Sequence, residues 1–290
     1  MKHPQRWRDC MDPHKLPLRR FAVREVLGYP HAGNDVFQVT GIYGGQEVEA
    51  YIKVARQQGA DLRNEIQTIQ ALNNSLCLCP QILDYDERDW SFVVTLAKSG
   101  ERLSAIVGEN SRMESMDYLY EYGRTLANLH QTKGSFAPGK DRRFFHLPNE
   151  ELLRKDRLEF VWQYLCSHQP KTVNRCFCHG DFHYANLLWQ DGHVSAILDF
   201  ELSGIGNREF DVAWAVILRP GQKFLKTPQE VELFVQGYQS LEKLDYEAFC
   251  YYMVLIYSYF YQIGEDEPEY QQTVREILHR LCAQSGGLAE

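Results

Sequence analysis

Residues 178–211 read CHGDFHYANLLWQDGHVSAILDFELSGIGNREFD. An apolar approach ends in His179-Gly180-Asp181, Asn186 follows the aspartate by five residues, and Asp199 follows Asn186 by thirteen. Between them, Asp191-Gly192 separates the apolar runs 187–189 and 194–198, and a D-G pair flanked by such runs is a strong hairpin signal. The hairpin turns the chain back so that Asp199 can meet Asn186. A single Asp is commonly a turn former or a helix cap. The order strand, HGD, Asn, hairpin, strand, Asp asks for more than that.

Phosphoryl transfer needs one carboxylate to orient an attacking hydroxyl and take its proton. It also needs an amide and a second carboxylate to hold Mg²⁺ on the nucleotide phosphates. Asp181, Asn186 and Asp199 are those groups in that order. HGDxxxxN followed by an apolar run and D-x-[DE] resembles the aminoglycoside phosphotransferase and choline kinase superfamily, the small-molecule branch of the protein-kinase-like fold. The Asp-to-Asn interval is that of the protein-kinase catalytic loop, with Gly180 where that loop has Arg and Glu201 where the metal motif has Gly. The resemblance covers about residues 20–285. It implies an α+β, two-lobed fold: a small antiparallel β lobe with one helix over residues 1–96, which binds nucleotide, and a larger, mainly helical lobe over 97–290 with the catalytic loop and substrate site. It further implies Asp181 as catalytic base, Asn186 and Asp199 as Mg²⁺ ligands, ATP or GTP as donor, and a small hydroxyl-bearing acceptor. His179 is expected to prop the loop. Glu201 reaches the metal or is a surface residue. Residues 206–213, Gly-Asn-Arg-Glu-Phe-Asp-Val-Ala, resemble the superfamily's G-x-P-x-x-D-[LV]-A segment, with Arg208 in place of proline. There Asp211 is expected to cap a helix and pin the loop.

Upstream, runs 36–42 and 48–54 flank Gly44-Gly45, a two-residue hairpin signal. Alternation puts Val48, Ala50, Ile52 and Val54 on one face and Lys53 on the other. A helix opening at Asp61 carries Leu62, Ile66, Ile69 and Leu72 at helical spacing, with Glu65 at the stripe's margin. The resemblance implies that Lys53 holds donor phosphates and Glu65 fixes Lys53; by themselves they read as a solvent-facing lysine and an ordinary helical glutamate. Residues 28–37 hold neither GxGxxG nor a P-loop, so the phosphate-covering backbone is open. Strands are expected at 81–86 and 91–96, then a break at 97–100, the hinge of the resembled fold.

Downstream, helices are expected at 116–130 and 149–168, with His130 a structural hydrogen-bonding residue. The loop 134–143 is either a plain turn or an insert near the substrate mouth. His183 faces the substrate or solvent, more simply solvent. Thr227-Pro228-Gln229-Glu230 is a capping box and Asp245 opens the next helix. The aromatic run 249–261 reads first as core. Its π faces, like the acidic loop 265–269, would also suit a cationic substrate.

The chain has 290 residues, 44% apolar and 24% charged, enough for two modest domains with a sizeable core. A net charge of −8 argues against nucleic acid as main partner. No apolar run reaches a membrane span, and the N-terminus lacks the apolar core of a signal peptide, so a cytoplasmic location is expected. Of the eight cysteines, four form C-x-C pairs at 77/79 and 176/178, not zinc spacing. A zinc hydrolase on Cys176, Cys178 and His179 is a remote alternative; a catalytically idle module that binds nucleotide or protein is a nearer one.

Overall fold

The computed structural model describes residues 8–31, 33–57, 60–72, 78–107, 112–222 and 224–284. Five antiparallel strands come first: β1 (Phe21–Gly28), β2 (Asp35–Tyr43), β3 (Gln46–Val54), β4 (Ile82–Tyr85) and β5 (Phe92–Leu96), in the spatial order β1-β2-β3-β5-β4. Tyr43 pairs with Gln46 across Gly44 and Gly45, both at positive φ, so the Gly-Gly hairpin forms with the two-residue turn its sequence asks for. The start of β1 is tied to β4 through the buried Asp84, whose Oδ2 accepts the N–H groups of Arg19, Arg20 and Phe21.

The two faces of the sheet differ. Ala50, Ile52 and Val54 of β3 join Phe37, Val39, Leu83, Phe92 and Val94 in a closed apolar cluster on one face. On the other, α1 (Arg63–Leu72) lays Ile66 on Val93, beside Leu62. Val93 is the register partner of Lys53, so the lysine emerges on the face that α1 covers. Further along α1, Ile69 and Leu72 belong to the large core of the helical part.

That part begins after a short helix α2 (Leu103–Ile106) with α3 (Arg112–His130). α3 packs on α7 (Pro228–Gln239) closely enough that a Cβ on Gly123 would lie 1.9 Å from the Phe234 carbonyl oxygen. Gly237 meets Tyr120 at the same distance, so only glycine allows this contact of backbones. The capping box at Thr227–Glu230 forms as its sequence signals. The expected helix 149–168 is instead two, α4 (Glu150–Lys155) and α5 (Glu159–Ser167). The break falls where Arg157 takes a φ of 56° and Leu158 is buried. Hydrophobic periodicity on both sides hides such a break, since a left-handed residue leaves no mark unless it is Gly or Asn.

Two ribbons carry the central stretch: β6 (Arg175–Cys178) with β9 (Gly204–Asn207), and β7 (Leu187–Gln190) with β8 (His193–Ile197) around the Asp191-Gly192 turn. α6 (Arg208–Val216), α8 (Tyr246–Ile263) and α9 (Pro268–Gln284) complete the lobe. Most of α8 is core: Tyr251, Tyr257, Phe260 and Tyr261 are buried. No helix among the described residues is long and apolar enough to cross a membrane.

Candidate active site

Two groups of side chains meet between the sheet and the helices. In the first, Lys53 Nζ donates to Glu65 Oε2 and to Asp199 Oδ1, each at 2.8 Å, and lies 3.3 Å from Glu201 Oε2. Burial alone would lower the lysine's pKa, but Glu65 and Asp199 outweigh it and hold the ammonium well above its ordinary range. Burial raises the Glu65 pKa despite the lysine. Asp199 sits in the left-handed region at φ 64°, a costly conformation for a non-glycine residue. The turn after it is held from α1, for Asn64 Nδ2 donates to the carbonyls of Glu201 (3.0 Å) and Ser203 (2.9 Å). Glu201 is no plain surface residue: Asn34 Nδ2 reaches its Oε2 at 2.9 Å.

The second group surrounds Asp181. Trp214 Nε1 donates to Asp181 Oδ1 (2.8 Å), Asn186 Nδ2 donates to its Oδ2 (3.3 Å) and main-chain O (3.0 Å), and His183 Nε2 is 3.6 Å from Oδ2. His183 is thus half-buried against the carboxylate, not turned to solvent as the loop sequence suggests. Burial pushes the Asp181 pKa up; the hydrogen bond and charge of His183, with His179 and the Trp214 N–H, more than reverse this and keep the carboxylate below its usual range. The Leu198 N–H donates to the Asn186 carbonyl at 2.8 Å, which ties Asn186 to the residue preceding Asp199.

Behind the loop lies Asp211. Its two carboxylate oxygens accept the N–H groups of His179 and Gly180, each at 2.9 Å. It therefore pins the loop, but it is not the cap of α6: that is Asn207, whose side chain accepts from Phe210 N–H. Asp211 lies inside the first turn, where a buried carboxylate near free amides is favoured. His179 spends Nε2 on the Leu198 carbonyl and accepts the Asp181 N–H at Nδ1. It consequently does not face the two thiols with which it was grouped as a zinc alternative. His130 does: it lies with Cys176 and Cys178 in one cluster, contacts Asp211 Oδ2 at 3.2 Å and Tyr238 at 2.7 Å. Burial opposes its protonation, yet Asp211 and Cys176 raise its pKa to about 9. The Cys176 thiol, accepting from Cys178 and facing His130, falls to about 6 against the desolvation that burial imposes. Cys77 lies outside the described residues, as does Ala32 of the 28–37 loop.

Glu65, Asp199 and Glu201 bring carboxylate oxygens within 4.8 Å of one another. With Nδ2 spent on Asp181, Asn186 has its Oδ1 to offer a cation. All are hard oxygen donors, the chemistry Mg²⁺ requires. Trp214 had no signal in the sequence beyond its place one turn after Asp211, and Asn64 none beyond preceding Glu65.

The sequence profile of the phosphotransferase enzyme family matches residues 28–249. The chain belongs to that family. Its fold is similar to aminoglycoside-3'-phosphotransferase of type VIII (19% identity, TM-score 0.55, covering 82% of this chain and 92% of that one). It is similar also to choline kinase from Cryptosporidium parvum Iowa II (14%, 0.57, 93% and 90%). The APH(2")-IIa chain in a streptomycin–ATP ternary complex gives 16% and 0.57, covering 82% and 84%. The two-lobed, kinase-like α+β architecture that the resemblance at residues 178–211 implied is the architecture of this family member.

Proposed function

We propose that this phosphotransferase moves the γ-phosphoryl group of ATP or GTP to a hydroxyl of a small molecule. The acceptor oxygen bonds to the γ-phosphorus, the bond from that phosphorus to the β–γ bridging oxygen breaks, and the nucleoside diphosphate leaves. Asp181 orients the hydroxyl and takes its proton. The observation that carries this reading is the Asp181 carboxylate: half-buried, kept ionised, and aimed by the Trp214 N–H and the Asn186 amide. Lys53, steadied by Glu65, meets the donor phosphates. Asn186 and Asp199, with Glu201 beside them, would hold Mg²⁺, which when bound offsets charge on the phosphates. His179 and Asp211 set the loop's shape. In this reading residues 1–96 bind nucleotide and residues 97–290 supply the catalytic loop and the acceptor site. ATP-bearing complexes among similar folds support the choice of donor.

The test is Mg²⁺-dependent ADP and GDP release from ATP and GTP against a panel of hydroxyl compounds. Stimulation by an acceptor should vanish in Asp181→Ala, by at least about a thousandfold in kcat, while nucleotide still binds. Loss of nucleotide binding in that variant with an unchanged fold would remove Asp181 from its role. Wild-type protein that binds no Mg-nucleotide would end the kinase reading.

A further inference from the structure

The surroundings of Asp181 on its acceptor side are basic and aromatic. Arg142 closes the 134–143 loop, and its guanidinium lies 4.5 Å from the centre of the Trp214 ring, the indole whose N–H holds Asp181. Arg142 Nη2 is shut off from solvent and has no hydrogen-bond partner among the described residues. Arg219 lies 5.3 Å from the same ring, but it donates to the carbonyls of Ile217 and Trp214 and is satisfied there. No carboxylate among the described residues forms an ion pair with either arginine. A guanidinium stays charged at any pH the protein meets, and a buried N–H left unmade is costly. Such a group is explained when a planar oxyanion completes it.

Three rings of the 249–261 run already face the protein's own cations. Arg143 sits 5.9 Å from the Tyr259 ring, Arg219 5.8 Å from Phe260, and Arg275 5.2 Å from Tyr261. A cationic acceptor would find these three rings taken by arginines.

Resting on the kinase reading above, we propose that the acceptor is an alcohol that also carries a carboxylate, and that Arg142 takes that carboxylate while Asp181 addresses the hydroxyl. Each group then meets its opposite: the acid pairs with the buried guanidinium and the hydroxyl donates to the base. A monoanion suits a place with one guanidinium that has no ion-pair partner among the described residues, aromatic walls and Asp181 one indole away. The carboxylate is unchanged by the transfer. Arg142 is thus a specificity residue, and it lies in a loop whose sequence shows only turn formers and charge.

The experiment is nucleotide-diphosphate release by the full chain with Mg-ATP and Mg-GTP. Four acceptor arms are used: hydroxy acids (glycerate, serine, homoserine, gluconate), their amides or methyl esters, cationic acceptors (choline, ethanolamine, aminoglycosides) and glycerol 3-phosphate. Direct binding of each to the Mg-nucleotide-loaded protein is measured alongside. A hydroxy acid should be the preferred acceptor and its neutral derivative poor. In Arg142→Gln the KM for the acid should rise about 30- to 100-fold with a smaller change in kcat, and Arg142→Lys should recover part of the loss. Melting temperature and nucleotide affinity of both variants separate misfolding from lost recognition. Preference for cationic or phosphorylated acceptors, an Arg142→Gln KM equal to wild type, or no hydroxy acid bound or turned over, each overturns the carboxylate assignment and leaves the kinase reading standing. Absence of Mg-nucleotide binding would instead remove that reading itself.

Discussion

Lys53, proposed to meet the donor phosphates, has three anionic neighbours that make its removal costly. In Lys53→Met, the buried Glu65 loses its cation while Asp199 and Glu201 are left close together. Breaking a buried pair by deleting one partner costs about 3–5 kcal/mol. The expected result in denaturant unfolding is a loss of that order, with part of it regained in Lys53→Met/Glu65→Gln; a single variant as stable as wild type would contradict the pairing. Gly180 presents a different constraint. Its φ is +80°, and a Cβ there would lie 2.3 Å from the Leu202 carbonyl oxygen. Gly180→Ala should therefore lower stability by at least about 1–3 kcal/mol and reduce turnover as the loop shifts, checked by melting and by kcat. Strand alternation and helical spacing placed Lys53 and Glu65 on their elements, but their pairing was legible only through the family resemblance, since by themselves they read as a solvent-facing lysine and an ordinary helical glutamate. Arg142 and Trp214 were not legible: the first lies in a loop without period, and the second reads as one more apolar residue of a core helix.

At the scale of elements, the strand β6, helix α3 and helix α6 meet where His130, Cys176 and Asp211 support the loop at 179–186. His130 is held above its ordinary value of 6.5, at about 9, so its contribution to stability is complete below pH 6.5 and is lost as pH rises through about 9. Cys176 is held below its ordinary value of 9.0, at about 6, so its contribution is complete above pH 9 and is lost as pH falls through about 6. Between pH 6.5 and 9 the two slopes oppose each other. Cys176→Ser removes the Cys176 slope and lowers the His130 pKa part of the way, while Asp211 still holds it above 6.5, so its Tm should fall with rising pH just above 6.5 more steeply than the wild type's. A variant profile that is flat or rising would contradict this. Element boundaries show where sequence reasoning stops. The capping box at Thr227 and the turns at 44–45 and 191–192 are local chemistry and were readable. The cap of α6 went to Asn207 because Asp211 was drawn inward by the amides of His179 and Gly180, a contact across more than thirty residues.

Over the whole molecule, the two lobes were legible through the family resemblance that residues 178–211 carry, with the strand pattern before them in agreement. How the lobes are joined was not readable, because it rests on Asn64 and on the far end of α1. Ile69 and Leu72 pack into the large helical core, and the Asn64 amide holds the turn at 200–203. The backbone amides of α1 should accordingly exchange hydrogen with the helical lobe rather than with the sheet, and Asn64→Leu should speed their exchange while leaving β1 and β2 unaffected. Uniform behaviour of α1 and the sheet would show that they move as one body. With α1 and Asp199 on the same side of this seam, Lys53 is the sheet's own reach across it, already neutralised by three carboxylates. On the proposed function, a donor's polyphosphate would not enter a vacant positive cleft but would displace anions that are covalently part of the protein. Nucleotide uptake would then be an ion-exchange reaction, its affinity a difference between two sets of counter-ions.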